Sequence, residues 1–256
     1  MCPPHTGQGA ATGSFEASVT TKHNAAGAVR YASAVEELHR ESADRTRSLI
    51  QAGRCAPAQF RAALTRVPPR ARDGWVDWVF GLDSLPEDGP DLPSGCVAYL
   101  PSAVDALLRV TEYMPVRHSD VFVDVGAGAG RAAALVHLLT GAPALGIEVQ
   151  GELTAAARKL AARLNLSRVS FVEGDGAQIT GVLTAGTVFF LYCPFSGERL
   201  TRMLASLEPV ARRQRIGVCC IDLPLPRCPW LTLTAPIWAD LEIYRSTLHD
   251  SDSDRA

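Results

Sequence analysis

Lysine is nearly missing from this chain: of 25 basic side chains only Lys22 and Lys159 are lysines, and the rest are arginine. That bias reflects genome composition more than function. An excess of positive charge is missing too. Twenty-five basic against 27 acidic groups leave a net charge of −2, which argues against a nonspecific nucleic-acid binder. No run nears the ~18 apolar residues of a membrane span; the longest, around Val188–Tyr192 and Ile216–Cys220, are strand-sized. Cys-x-x-Cys does not occur. The seven cysteines stand at 2, 55, 96, 193, 219, 220 and 228, an odd set whose only close pair is Cys219–Cys220. Such spacing fits neither a disulfide framework nor a metal site, and reads as reduced, mostly buried thiols of a cytoplasmic protein. The opening MCPPHTGQGAATGSFEASVTTKHN lacks the basic start and apolar core of a secretory signal. What is present is a globular composition, 47% hydrophobic and 20% charged, at a length suited to one domain with an extension.

Residues 1–29 read as a flexible tail. A helical lobe is expected over 30–84, because Tyr31, Val35 and Leu38 fall at i, i+4, i+7, and Leu49 and Ile50 continue that face. Phe60, Leu64 and Val67 repeat the spacing, as do Trp75, Trp78, Val79 and Leu82, with Pro68–Pro69 as the break between them. Nine arginines against four acids between Arg30 and Arg72 give this lobe a basic face, either solvated or set for an acidic partner. The segment 85–95, LPEDGPDLPSG, is a linker by composition. The main domain is placed at 96–249, with a short tail over 250–256.

Within the main domain short apolar strands alternate with amphipathic helices. The expected strands are Val121–Val125, Ala144–Val149, Val169–Val172, Thr187–Tyr192 and Arg215–Ile221. Helices are expected across Arg131–Leu139, after Val149, and from Glu198 to Ala211. This pattern implies an α/β fold with a parallel sheet covered on both faces. Trp230–Thr234 and Leu241–Ser246 are too close for a parallel crossover, so they must pair antiparallel and close the domain with a hairpin.

The stretch VFVDVGAGAGR, Val121–Arg131, runs a buried strand through Gly126, Gly128 and Gly130 into a helix. Glycines there let backbone N–H groups approach a ligand, and the helix start adds positive potential. A dinucleotide fingerprint, G-x-G-x-x-G, would need glycine where Arg131 stands. Asp124 also lies two residues before the first glycine. A carboxylate there would repel a pyrophosphate but attract the α-amino group of a methionine moiety. Glu148 ends the second strand, at the same sheet edge, and can take two ribose hydroxyls. Asp175 follows the third strand and can accept from an adenine amino group or cap a helix.

From Tyr99 to about Ser246 the chain resembles class I S-adenosylmethionine-dependent methyltransferases. VDVGAGAGR is similar to their glycine-rich first motif, GIEVQ to the ribose-binding acid, EGDGAQ to the adenine-side acid and FFLYCPF to the fourth motif. The resemblance implies a doubly wound, Rossmann-like sheet of seven strands in the order 3-2-1-4-5-7-6, the last strand antiparallel. It implies S-adenosylmethionine as cofactor, held by Asp124, Gly126, Ala127, Gly128, Gly130, Glu148, Val149, Gly174, Asp175, Gly176 and Tyr192. A finer resemblance, through Tyr99-Leu100-Pro101-Ser102, is to the non-SET histone lysine and ATP-synthase c-subunit lysine methyltransferases. Leu191-Tyr192-Cys193-Pro194-Phe195 departs from them, having no Asn or Asp to hold an amine.

Methyl transfer is a displacement in which positioning and desolvation do most of the work. Tyr192, Phe195 and Tyr99 are the candidates to wall a channel that favours a neutral acceptor amine over its charged form. Three functions are open at this level. One is N-methylation of a protein side chain such as lysine. Another is methylation of a small molecule, and the third is a non-catalytic binding module with the same fold. Oligomeric state, monomer or homodimer, is not legible.

Overall fold

The computed structural model describes residues 35–82, 84, 86, 88–89, 92–179, 184–238 and 240–247. The expected tails at 1–29 and 250–256 lie outside these residues. The chain divides into two compact units, Met1–Ser42 and Ala43–Ala256, and apart from residues 35–42 of the first helix the features below belong to the second.

Three helices come first: α1 at 35–51, α2 at Pro57–Thr65 and α3 at Pro69–Phe80. The Pro68–Pro69 break marks the start of α3, with Pro68 at the N-cap and Pro69 in the first turn, where a missing N–H costs nothing. Helix α4, Val104–Tyr113, leads into the sheet domain. Strands and helices then alternate: β1 Phe122–Val125, α5 Arg131–Thr140, β2 Ala144–Glu148, α6 Gly151–Arg163, β3 Val169–Glu173, α7 Gly176–Ile179, β4 Val188–Tyr192, α8 Gly197–Arg213, β5 Gly217–Ile221. The closing hairpin is β6 Leu231–Trp238 and β7 Leu241–Ser246.

One seven-stranded sheet runs β3-β2-β1-β4-β5-β7-β6, and β7 is antiparallel to both neighbours. This is the order that the resemblance implies. Strand β6 extends past the expected Thr234 to Trp238, through Pro236. A proline fits there because β6 is an edge strand paired only with β7, and its register shifts on either side of that residue.

Alternation along the strands sorts side chains onto two faces. Phe122, Phe190, Cys219 and Ile221 join a core with α2 to α6, while Val123, Val125, Phe189, Leu191, Val218 and Cys220 join a second core under α8. The adjacent Cys219 and Cys220 therefore point to opposite faces. Helix α5 is buried almost all round, as its Ala132-Ala133-Ala134-Leu135 run requires of a helix caught between sheet and helices. Phe60 of α2 and Trp75 of α3, both fully buried, meet with ring centroids 6.0 Å apart.

The N-terminal helices thus share the core of the sheet domain. Trp75→Ala is expected to cost about 3–5 kcal/mol in a urea titration followed by far-ultraviolet circular dichroism, in one cooperative transition. A loss under 1 kcal/mol, or a separate early transition, would show that α2 and α3 dock without sharing that core.

Candidate active site

At the carboxyl ends of the parallel strands, β1 runs into the glycine loop. Gly126 and Gly128 adopt φ of +80° and +53°. A side chain on Gly126 would strike Pro194 at 2.6 Å, and one on Gly128 would enter the ring of Tyr99 at 1.9 Å. The glycines therefore let two other segments, the loop after β4 and the strap before α4, close directly on this backbone. Between these segments lies a cleft of ≈ 270 Å³.

Asp124 is the decisive group. It is 3% exposed, and among the described residues its Oδ2 has no hydrogen-bond partner. Burial dominates and pushes its carboxyl up to about 7; the Ala133 amide opposes this and the Glu148 charge adds to it. Glu148, also buried, accepts the Gly128 amide at 2.8 Å on Oε2 and the Gln150 amide at 2.9 Å on Oε1. It braces the glycine loop from the neighbouring strand. Each of its oxygens keeps a lone pair for a further donor.

Asp175 does two jobs. Its Oδ1 accepts the Ala177 amide at the start of α7, and its Oδ2 accepts Gln178 and Arg199, the latter at 2.7 Å. Burial works against its charge, yet these three donors outweigh burial and hold the carboxyl below its ordinary value.

The segment expected as a plain linker is bonded to the site. Asp88 accepts the Tyr99 amide at 2.9 Å and Gln150 Nε2 at 2.7 Å, and the Gly89 amide donates to Gln150 Oε1. Cys96 bridges Phe195 in an isolated antiparallel pair. Below the strap, Arg131 opens α5 with 4% exposure and pairs with Asp73 at 2.7 Å and Asp77 at 3.4 Å, both on α3. Asp73 also accepts the Val104 amide that starts α4. One carboxylate on α3 thereby ties together the starts of α4 and α5. Part of the expected basic face is spent in the same way: Arg47, Arg61 and Arg72 bond to Val79, Thr111 and Asp105.

The structure brings Asp124, Gly126, Ala127, Glu148, Val149, Gly174, Asp175, Gly176, Tyr99, Tyr192 and Phe195 together on the cleft. Gly128 and Gly130 do not line it; Gly128 lies under Tyr99 and Gly130 packs against Phe171 and Ala157. Burial pushes the Tyr99 hydroxyl up to about 12, against the opposing effects of the Arg131 charge and the Ala129 amide. Lining residues the sequence reading missed include Arg131, Gln150, Cys193 and Asp222. An acid directly after the fifth strand, as in CCID, was the available signal for Asp222.

Residues 94–182 match the family model described as Protein-L-isoaspartate(D-aspartate) O-methyltransferase, well under half of the chain. No curated protein matches. Among solved structures, an RNA methyltransferase from Salinibacter ruber in complex with S-adenosyl-L-homocysteine is 24% identical, with TM-score 0.43 over 59% of this chain and 95% of that one. The S-adenosylhomocysteine-bound Podospora anserina methyltransferase PaMTH1 is 11% identical, with TM-score 0.45 over 57% and 80%. Neither is described as a lysine methyltransferase. The sheet order is the one that the sequence resemblance implies, and the cleft lies at the carboxyl ends of its parallel strands.

The burial of Asp124 has a measurable sign. In the folded chain its carboxyl stays protonated up to about pH 7, against 3.8 for its ordinary value. Its contribution to stability is therefore full below about pH 4 and lost as pH rises through about 7. Without ligand, Asp124→Asn is expected to match wild type near pH 4 and to exceed it by roughly 3–4 kcal/mol at pH 8 in urea titrations. Parallel pH profiles for the two proteins would contradict this.

Proposed function

We propose that this protein is an S-adenosylmethionine-dependent methyltransferase acting on a nitrogen of a protein side chain, lysine being the model acceptor. The observation that carries the donor half is the buried, unpartnered Oδ2 of Asp124 beside the glycine loop. A cation is what that oxygen lacks, and the α-ammonium of a methionine moiety is one. Glu148 offers free lone pairs for ribose hydroxyls. Asp175 is the candidate acceptor for an adenine amino group, although Arg199 already claims one of its oxygens. S-adenosylmethionine, when bound there, supplies an electrophilic methyl group on a sulfonium.

The chain's own residues do the rest. Asp124 and Glu148 orient the donor, Gln150 and Asp88 hold the strap across the cleft, and Tyr99 and Phe195 exclude water. Tyr192, at the end of β4, presents a hydroxyl near which an acceptor amine can sit. Its half-buried setting and the apolar wall favour the neutral, nucleophilic form of that amine.

A second reading, methyl-ester formation on an aspartate-type carboxyl, is favoured by the family match over 94–182. That match covers Asp124, Glu148 and Asp175 and stops before Tyr192, so it bears on the donor half of the cleft and not on the acceptor half. Methyl esters and methylamines differ in a simple property: esters release methanol in mild base.

Incubating the chain with tritiated S-adenosylmethionine and a cell lysate is expected to label a protein band whose radioactivity survives base. Glu148→Ala is expected to abolish the label while weakening donor binding by ~2–4 kcal/mol, because ribose contacts and loop bracing are lost together. Base-labile label would establish the ester reading, and label confined to small molecules would overturn a protein acceptor.

A further inference from the structure

Leu191-Tyr192-Cys193-Pro194-Phe195 has no carboxylate or amide to hold an amine, yet the fold supplies one from the neighbouring strand. Strands β4 and β5 are parallel neighbours whose last paired residues are Tyr192 and Ile221. The next residue on each, Cys193 and Asp222, lines the same cleft. Both hold left-handed backbone, φ +41° and +50°, although neither is glycine. Asp222 is exposed at this position, and its amide is fixed to the Asp240 carbonyl at 2.9 Å.

The charges of the cleft divide unevenly. Arg131 is paired with Asp73 and Asp77, and Arg199 with Asp175, so both cations are already answered. Among the described residues Asp222 makes no ion pair. Burial first, and then the negative charges of Asp222 and Asp240, push the Tyr192 hydroxyl up. The cleft is a ligand site on separate grounds, because Asp124 keeps a buried oxygen unpartnered within it.

We propose that Asp222 is the acceptor-side anchor of the cleft, and that it selects a cationic amine head group, such as a lysine ammonium, over neutral or anionic acceptors. The proposal rests on the methyltransferase reading and narrows it to one substrate class. A carboxylate at the mouth attracts an ammonium and repels an aspartate-type carboxyl. Asp222 is exposed, so an ammonium held there can lose its proton to solvent before the neutral amine enters the apolar part of the cleft.

The test uses the full chain, ¹⁵N-labelled and saturated with S-adenosylhomocysteine, with n-butylammonium chloride as a surrogate for the lysine side chain. Saturable shifts of the Tyr192, Cys193 and Asp222 amides are expected with n-butylammonium and not with n-butanol or n-butyrate. Asp222→Asn is the suitable variant because asparagine tolerates left-handed backbone as well as aspartate does. It should weaken n-butylammonium binding about tenfold or more and leave S-adenosylhomocysteine affinity unchanged. Equal amine affinity in Asp222→Asn, or equal binding of n-butyrate to wild type, would overturn the assignment while the donor site stands. A chain that fails to bind S-adenosylhomocysteine at all would overturn the methyltransferase reading and this one with it.

Discussion

A carboxyl oxygen buried without a partner is among the costlier things a fold can contain, and the cleft of this protein is organised around one. Asp124 sits near the end of β1, 3% exposed, with an oxygen that none of the described residues satisfies. In the ligand-free chain the group relieves its cost by holding a proton up to about pH 7. A bound cation would relieve it more fully. On the proposed reading, the α-ammonium of the donor completes this polar arrangement.

The surroundings of Asp124 make that position rigid. Gly126 and Gly128 allow Pro194 and Tyr99 to press on the loop backbone, and Glu148 fixes the Gly128 amide from the adjacent strand. Arg131 continues the loop into α5 and is held by Asp73 and Asp77 of α3. The helices that precede the sheet domain therefore reach the site through one buried arginine. Small displacements of α3 would be felt at the glycine loop, although no residue of α3 lines the cleft.

Much of this was legible in the sequence. Strand and helix alternation, the closing hairpin and the acids at three strand ends follow from local pattern, because buried parallel strands are short apolar runs and the cleft forms where they end. The role of glycine was legible only in kind. Sequence said that the loop approaches a ligand, whereas Gly128 is instead covered by Tyr99, a contact from 29 positions earlier in the chain that no local pattern encodes. The same limit hid Arg131's partners on α3 and the bonding of Asp88 to Gln150. Asp222 lies outside the fourth motif, on the strand beside the one that carries it. Its neighbour in the sheet follows from strand order, which the resemblance supplied, so the residue was within reach.

The central claim is that the buried Asp124 carboxylate receives the ammonium of S-adenosylmethionine, and calorimetry of that binding tests it most directly. Titrations at pH 6 in two buffers of different ionisation enthalpy count the protons exchanged. Because Asp124 is protonated there before binding and charged afterwards, the account predicts release of close to one proton with S-adenosylmethionine or S-adenosylhomocysteine, and none with Asp124→Asn. Binding without proton release, or no binding of either molecule, would contradict it.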